Sequence, residues 1–386
     1  MPCTKALNID TTQKVVVTGA TGYVAGQIIQ QLLEAGVTVH ATVSGNVTTA
    51  RFQYLQDLAD ASAGSIHFFT ADLTQPGSVQ QAMQGTSIVF YTACPFSVVN
   101  DDTESNDKKT TVTDPSTDVA ATKNVLRQAS QTPTVQRVVM TSSAAAIYGH
   151  AADCVQPTTT EASWNNCTLD TSASPYGVSK TLAEQTAWDM AGRQTQYKLV
   201  VLNPAFILGP GVAHKTHPTE VSFQVMQTIG GGACEWGVLT WGVPVVDVRD
   251  VAAAHLAAAY KPDASGRYIL SGENTDFGQV GLCLQDKYDS GYPVPRRSCS
   301  IPRRLGWLLA PLFGLDRRTV YRNLNVKTNL DNTKAKEQLD MKFRPLKRTV
   351  EDMVGYCCCC TNLFRYHFIP PNIIVSSLDN TVPAND

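Results

Sequence analysis

A tyrosine and a lysine stand four residues apart in Tyr176-Gly177-Val178-Ser179-Lys180. On a helix, positions i and i+4 share a face, so this spacing can aim a phenol and an ammonium into one cleft. A free phenol ionises only near about pH 10 and is a poor acid–base catalyst at neutrality, but a neighbouring cation favours the phenolate and eases loss of the proton. The pair suits proton delivery to a carbonyl oxygen that is gaining negative charge as its carbon receives a hydride. A hydroxyl that holds the same oxygen would complete the set. Thr141-Ser142-Ser143 ends a β-rich run and supplies two, of which Ser143 is preferred to Ser142.

The hydride needs a carrier, and the start of the chain has a turn suited to one. Thr18-Gly19-Ala20-Thr21-Gly22-Tyr23-Val24-Ala25 lies between a β-branched run (residues 13–18) and a helical pattern (22–35). In that setting Gly19 permits the tight turn, Gly22 lets backbone amides approach a pyrophosphate, and the helix N-terminus favours the anion. Ala25 takes the place of a third glycine and still allows close packing. The second strand ends Ala41-Thr42-Val43-Ser44-Gly45-Asn46, without the acid that would bond ribose hydroxyls and repel a 2′-phosphate. NADP(H) is therefore expected ahead of NAD(H), with Arg51 the nearest cation for the phosphate. Asp72 and Leu73 follow the third strand, where they can reach the adenine edge, although Asp72 could equally close a turn. Lys180 would also hold the nicotinamide ribose.

These groups need a scaffold, and the first half of the chain alternates short strands with helices. Strands are expected at 37–43, 66–70, 87–92, 135–142 and 198–202, with helices near 49–61, 77–83, 115–130 and 175–191. This is the pattern of an α/β protein with a Rossmann-type, doubly wound parallel sheet and a smaller C-terminal substrate-binding domain. Residues 1–205 read as the dinucleotide-binding domain. A return segment at about 243–272 comprises a strand over 243–248, a helix over 250–260 capped by Asp250, and a strand over 267–270. Residues 206–356 read mainly as the substrate domain, and 357–386 as a loosely ordered tail that includes Cys357 to Cys360. Phe96, Tyr148, Phe206 and Trp241 are candidates for an apolar substrate wall or for plain packing.

Taken together, the glycine turn, Thr141-Ser142-Ser143, Tyr176-x-x-x-Lys180, Leu202-Asn203-Pro204, and Asp247-Val248-Arg249-Asp250-Val251-Ala252 resemble the extended short-chain dehydrogenase/reductases. Similarity is greatest to their dihydroflavonol reductase-like branch, which includes cinnamoyl-CoA reductases and NADPH-dependent aldehyde and methylglyoxal reductases. The resemblance implies Ser143, Tyr176 and Lys180 as the catalytic triad, with Ser142 the alternative first member. It also implies Thr92 and Ala93 beside the cofactor, Pro204 near the nicotinamide, and Arg51 at a position that often binds the 2′-phosphate. Ser44 departs from the arginine usual at that strand end. Tyr148 lies where flavonoid-reducing members carry an asparagine, which favours simpler aldehydes or ketones as substrate. A hydroxysteroid or sugar-nucleotide dehydrogenase/epimerase is the alternative within the same superfamily. A non-catalytic NADP(H) sensor is the alternative outside catalysis, and retention of both Tyr176 and Lys180 favours the enzyme.

Composition excludes other classes. With 31 basic and 33 acidic side chains, the net charge of -2 gives no reason to expect nucleic acid as a partner. No apolar run reaches the roughly 20 residues of a membrane span, and the N-terminus lacks a secretory signal. Eleven cysteines, scattered except for Cys357 to Cys360, suggest reduced thiols and a cytoplasmic location in such a chain. His214-x-x-His217 has no third ligand nearby, so no metal site is expected.

Overall fold

The computed structural model describes residues 7–45, 49–92, 115–155, 158–166, 174–212, 221–232, 234–288 and 294–361. The chain opens with β1 (Lys14–Val17), α1 (Tyr23–Glu34), β2 (Thr38–Val43), α2 (Thr49–Asp60), β3 (Ser65–Thr70), α3 (Gln80–Met83) and β4 (Thr86–Tyr91). It continues through α4 (Pro115–Gln131), β5 (Arg137–Thr141), α5 (Pro175–Ala191), β6 (Lys198–Pro204), β7 (Phe206–Leu208), α6 (Val221–Gly230) and β8 (Val238–Leu239). Next come β9 (Gly242–Asp247), α7 (Val248–Tyr260), β10 (Gly266–Leu270), β11 (Glu273–Asp276), α8 (Phe277–Leu282) and α9 (Gln285–Tyr288). The last are β12 (Ser298–Cys299), α10 (Arg303–Leu309), α11 (Arg317–Asn323), α12 (Thr333–Gln338) and α13 (Leu346–Thr361).

Seven strands form one parallel sheet in the order β10-β6-β5-β4-β1-β2-β3. The chain moves outward from β1 to β3 and then crosses back to β4, so the strand order reverses between β1 and β4. Open α/β sheets bind ligands beyond the carboxyl ends of the strands at this reversal. The β-branched run of β1 is buried on both sides. Val15 and Val17 face α1 and α7, while Val16 faces α4 and α5. Period-2 alternation accounts for that division, and helices on both faces account for the continuous hydrophobicity.

Two expectations need correction. Residues 243–248 do not rejoin the large sheet: β9 pairs with β7 and β11 in a separate three-stranded sheet, while α7 returns to the main core against α1 and β10 joins the large sheet. All six residues of β9 are buried, and such a run does not reveal which sheet it will enter. The tail does not begin at Cys357, because α13 runs on to Thr361. Val350, Met353, Val354 and Cys357 share one buried face at helical spacing, where the thiol packs as a small apolar group. Residues 362–386 lie outside the described residues, as do His214 and His217. Among the described residues, no helix is long and apolar enough to cross a membrane, and no three His, Cys, Asp or Glu side chains are grouped to hold a metal.

Candidate active site

The strand ends of β1, β2 and β4 meet at the glycine turn. Gly19 adopts φ +64°, a left-handed conformation that glycine accepts without strain. Its neighbours are tied down on both sides. Ala20 N–H donates to the Thr42 carbonyl (2.8 Å), Gly19 N–H to Thr42 Oγ1 (3.2 Å), and Thr92 N–H to Thr18 Oγ1 (3.1 Å). Thr92 Oγ1 donates in turn to the Thr18 carbonyl (2.5 Å). Gly22 is the N-cap of α1, with no side-chain cap and no acid in the first turn. No side chain caps the first-turn amides, and a diphosphate fits that need. A Cβ on Gly22 would lie 3.2 Å from the Gly19 carbonyl oxygen, so the turn is closely folded around it.

Other residues expected near the cofactor take varied places. Tyr23 offers only its backbone to the turn, since its hydroxyl donates to the Gly209 carbonyl at 2.5 Å and its ring packs edge-on against Phe223. Val24 is half-buried between the two main cores. Arg51 lies in the first turn of α2. Asp72 is exposed and accepts from Thr74 N–H (2.9 Å) and Thr74 Oγ1 (2.7 Å), the turn-closing role. Leu73 packs against the α4–α5 side of the sheet. Pro204 is buried at the end of β6. Ala93 and Phe96 lie outside the described residues.

The second half of the site is built where α5 meets β5. Tyr176 and Lys180 do share a face: Lys180 Nζ stands 5.6 Å from the centre of the Tyr176 ring. Lys180 Nζ also lies 3.9 Å from Asp118 Oδ2, a carboxylate in the first turn of α4. Ser179 Oγ donates to the same oxygen at 2.6 Å. Both members of this ion pair are buried.

Gly177 allows α5 to approach β5 closely. A Cβ there would lie 3.0 Å from Asn165 Nδ2 and 3.6 Å from the Ala145 carbonyl oxygen, and Asn165 Nδ2 donates to that carbonyl at 2.8 Å. The start of α5 is thus held against the short 3₁₀ turn Ala144–Ala146, whose N-cap is Ser143. Ser143 Oγ accepts from Ala145 N–H at 3.1 Å, and its carbonyl accepts from Asn203 Nδ2 at 3.1 Å.

Ser142 takes a different part. It is buried, and its hydroxyl donates to Glu184 Oε2 at 2.6 Å. Glu184 also accepts from Asn203 Nδ2 (2.7 Å), Trp188 Nε1 (3.2 Å) and Arg267 Nε (2.6 Å). The Arg267 guanidinium lies 3.8 Å from the Trp164 ring centre and donates to the carbonyls of Glu161 (2.9 Å) and Ser163 (2.5 Å). One buried charge cluster therefore joins β5, α5, β6 and β10 directly behind Ser143. Sequence reasoning missed Asp118, Asn165, Gly177 and the Glu184–Arg267 pair as parts of the site. The Ser-Lys-Thr-Leu-Ala-Glu and Gly-Arg-Tyr-Ile runs that contain Glu184 and Arg267 were the available signal.

Of the substrate-wall candidates, Tyr148 is half-buried just beyond the Ser143 turn, and burial pushes its phenol far above the ordinary tyrosine range. Phe206 packs edge-on against Phe277, and Trp241 belongs to the core of the smaller lobe. Asp250 is not the cap of α7. Asp247 is, accepting from Arg249 N–H at 2.8 Å, while Asp250 sits in the first turn paired with Arg344. Arg249 is ion-paired with both Asp247 and Asp352.

Residues 15–270 match the profile of the NAD dependent epimerase/dehydratase family. Dihydroflavonol 4-reductase of Gerbera hybrida is 30% identical over 305 residues, 77% of this chain and 78% of that protein. Tetraketide alpha-pyrone reductase 2 of Arabidopsis thaliana is 33% identical over 288 residues, 74% of this chain and 85% of that protein. Among solved structures, yeast methylglyoxal/isovaleraldehyde reductase Gre2 complexed with NADPH aligns with a TM-score of 0.68 at 24% identity, covering 89% of this chain and 98% of its own. Vestitone reductase from alfalfa aligns at 0.66 and 24%, covering 89% and 98%.

Proposed function

Because the chain belongs to the NAD dependent epimerase/dehydratase family, among the dihydroflavonol reductase-like, NAD(P)-dependent reductases, we propose that it reduces an aldehyde or ketone carbonyl to an alcohol with NADPH. The observation that carries the reading is the Tyr176–Lys180 pair, seated at the carboxyl edge of the sheet against the Ser143 turn. When bound, NADPH supplies the hydride. The residues that would hold it are the turn Gly19, Thr21, Gly22, Tyr23 and Val24, then Arg51, Thr92 and Pro204, with Tyr176 and Lys180 at the nicotinamide end.

The chain's own groups manage the oxygen. Ser143 Oγ already accepts from a backbone amide, which leaves its hydrogen to donate to the carbonyl oxygen and stabilise the charge that grows there. Tyr176 gives its proton to that oxygen, and the Lys180 ammonium beside it favours the phenolate left behind. Ser142 is committed to Glu184, which supports Ser143 as the carbonyl-binding hydroxyl. Tyr148, protonated at every physiological pH, and Phe206 would face the apolar part of a small substrate. Departure from the flavonoid-binding asparagine at Tyr148 supports a simple aldehyde, ketone or 2-oxoaldehyde.

The test is Tyr176→Phe, assayed by NADPH oxidation against a panel of carbonyl compounds and by NADPH titration. Loss of turnover with cofactor affinity near wild type is expected. Full activity in the variant would remove Tyr176 from the chemistry.

A further inference from the structure

We propose that the outer face of α10 and the 3₁₀ turn that follows it (Ala310–Phe313) docks the protein on an anionic lipid surface. The argument begins with a reversal of the usual amphipathic order. The residues of α10 and this turn that face the protein are the small ones: Gly306 and Ala310 are buried, and a Cβ on Gly306 would collide with Leu324 Cδ2. The large apolar residues point outward, with Leu305 44%, Trp307 42%, Leu308 57% and Leu312 79% exposed. At about 100° per residue, Leu305, Trp307, Leu308 and the exposed Arg304 of α10 share one contiguous arc of roughly 160°, and Leu312 follows in the 3₁₀ turn. Packing a surface helix alone would put its leucines inward.

Charge identifies what covers that face. From Arg296 to Lys327 the sequence has eight basic residues and one acid, Asp316, in a chain whose net charge is -2. Asp316 is occupied as the N-cap of α11, accepting from Thr319 N–H at 2.7 Å. Glu235 and Asp153 pair with Arg296 and Arg322. Arg304 is exposed on α10 itself, and the exposed Arg317 brings its guanidinium to 4.7 Å from the Trp307 ring centre. Leucine and tryptophan on one helix face with arginine around them is the composition of a helix lying in the plane of a bilayer, its ring at headgroup depth and its cations on acidic lipid. A symmetric dimer through this face would bring the arginines of two copies together. A nucleic acid would be drawn by the arginines but gains nothing from outward leucines. The near-neutral whole chain conceals this local asymmetry.

The experiment is co-sedimentation of the full chain with phosphatidylcholine vesicles and with vesicles in which part of that lipid is replaced by phosphatidylserine. Binding to the second kind only, weakened by added salt, is expected. Leu308→Asp with Leu312→Asp should reduce partitioning by at least about tenfold, and Arg304→Glu by about fivefold or more, from the worth of one charge at such a surface. Both variants should keep the wild-type melting temperature and NADPH-linked turnover. A blue shift of tryptophan emission on binding should shrink in Trp307→Phe. The proposal is overturned by no binding to phosphatidylserine vesicles, or by binding that survives both variants. It is equally overturned if the leucine variants dissolve a dimer, or if an oligonucleotide binds equally well to the wild type and the leucine variants.

Discussion

Arg267 is the residue whose removal should be felt most widely. Replacing it with methionine leaves Glu184, with no exposed side-chain surface, carrying a buried charge without its cation. It also strips a donor from the carbonyls of Glu161, Ser163 and Ala146. Breaking a buried pair from one side costs about 3–5 kcal/mol. Unfolding entropy of about 2.1 cal/mol/K per residue gives about 0.8 kcal/mol/K for 386 residues, so the melting temperature should fall by about 4–6 °C. Glu184→Gln should cost a similar amount. The double variant should cost at least about 1 kcal/mol less than the sum, because the stranded charge is then absent. Thermal melts of the four proteins, followed by circular dichroism, complete the cycle. Single variants that each cost under about 1 kcal/mol, or costs that simply add, would refute the reading of this cluster as one coupled unit.

Asp118→Asn keeps an acceptor for Ser179 but removes the negative charge 3.9 Å from Lys180. Lys180 then gives up its proton more readily, and so does Tyr176, so the alkaline limb of kcat/KM should move to lower pH. A limb that stays in place would sink this role. Gly177→Ala puts a methyl 3.0 Å from Asn165 Nδ2 and should push α5 away from the Ser143 turn. Asn165 must give by a few tenths of an ångström, short of the roughly 1 Å that costs about a hundredfold in rate, so kcat should fall by less than that while NADPH affinity in a direct titration stays near wild type. Unchanged kcat would mean the close approach is incidental. His255 is fully buried and burial pulls its pKa down to about 4 from an ordinary 6.5. The unfolded chain takes up that proton first, so about 3 kcal/mol of stability should be lost as pH falls from about 6.5 to about 4. Burial raises Asp250 to about 6, which opposes this slope over the same interval. The difference between wild type and His255→Asn in urea melts cancels Asp250, and equal slopes in the two proteins would contradict the assignment.

The half of the molecule that the sequence makes readable is the half governed by local rules. Strand and helix periods, the glycine turn and the i to i+4 spacing of Tyr176 and Lys180 are each properties of a few adjacent residues, and each appears where expected. Features set by distant partners were not readable. β9 looks like any buried strand, and only its pairing with β7 and β11 assigns it to the second sheet. Asp250 follows Asp247 by three residues, and either could cap α7. The choice falls to Asp247 because Arg344, 94 residues away, takes Asp250. Cys357 reads as the start of a tail until the face formed by Val350, Met353 and Val354 is seen to continue through it.

The same distinction explains how the site holds its geometry. The proposed proton transfer and carbonyl binding require Tyr176 and Ser143 to be fixed relative to each other, yet they lie 33 residues apart in the chain. No local signal can fix such a pair. The closeness of Gly177 to Ala145 sets how near α5 comes, and the Glu184–Arg267 cluster fixes the strand end from behind through Ser142 and Asn203. Asp118 then orients the lysine from a third element. Each of these groups touches a proposed catalytic residue or its immediate neighbour. On that proposal, variation in the walls around Tyr148 and Phe206 changes which carbonyl enters while the proton path stays intact, which is the division of labour expected where one scaffold serves many substrates.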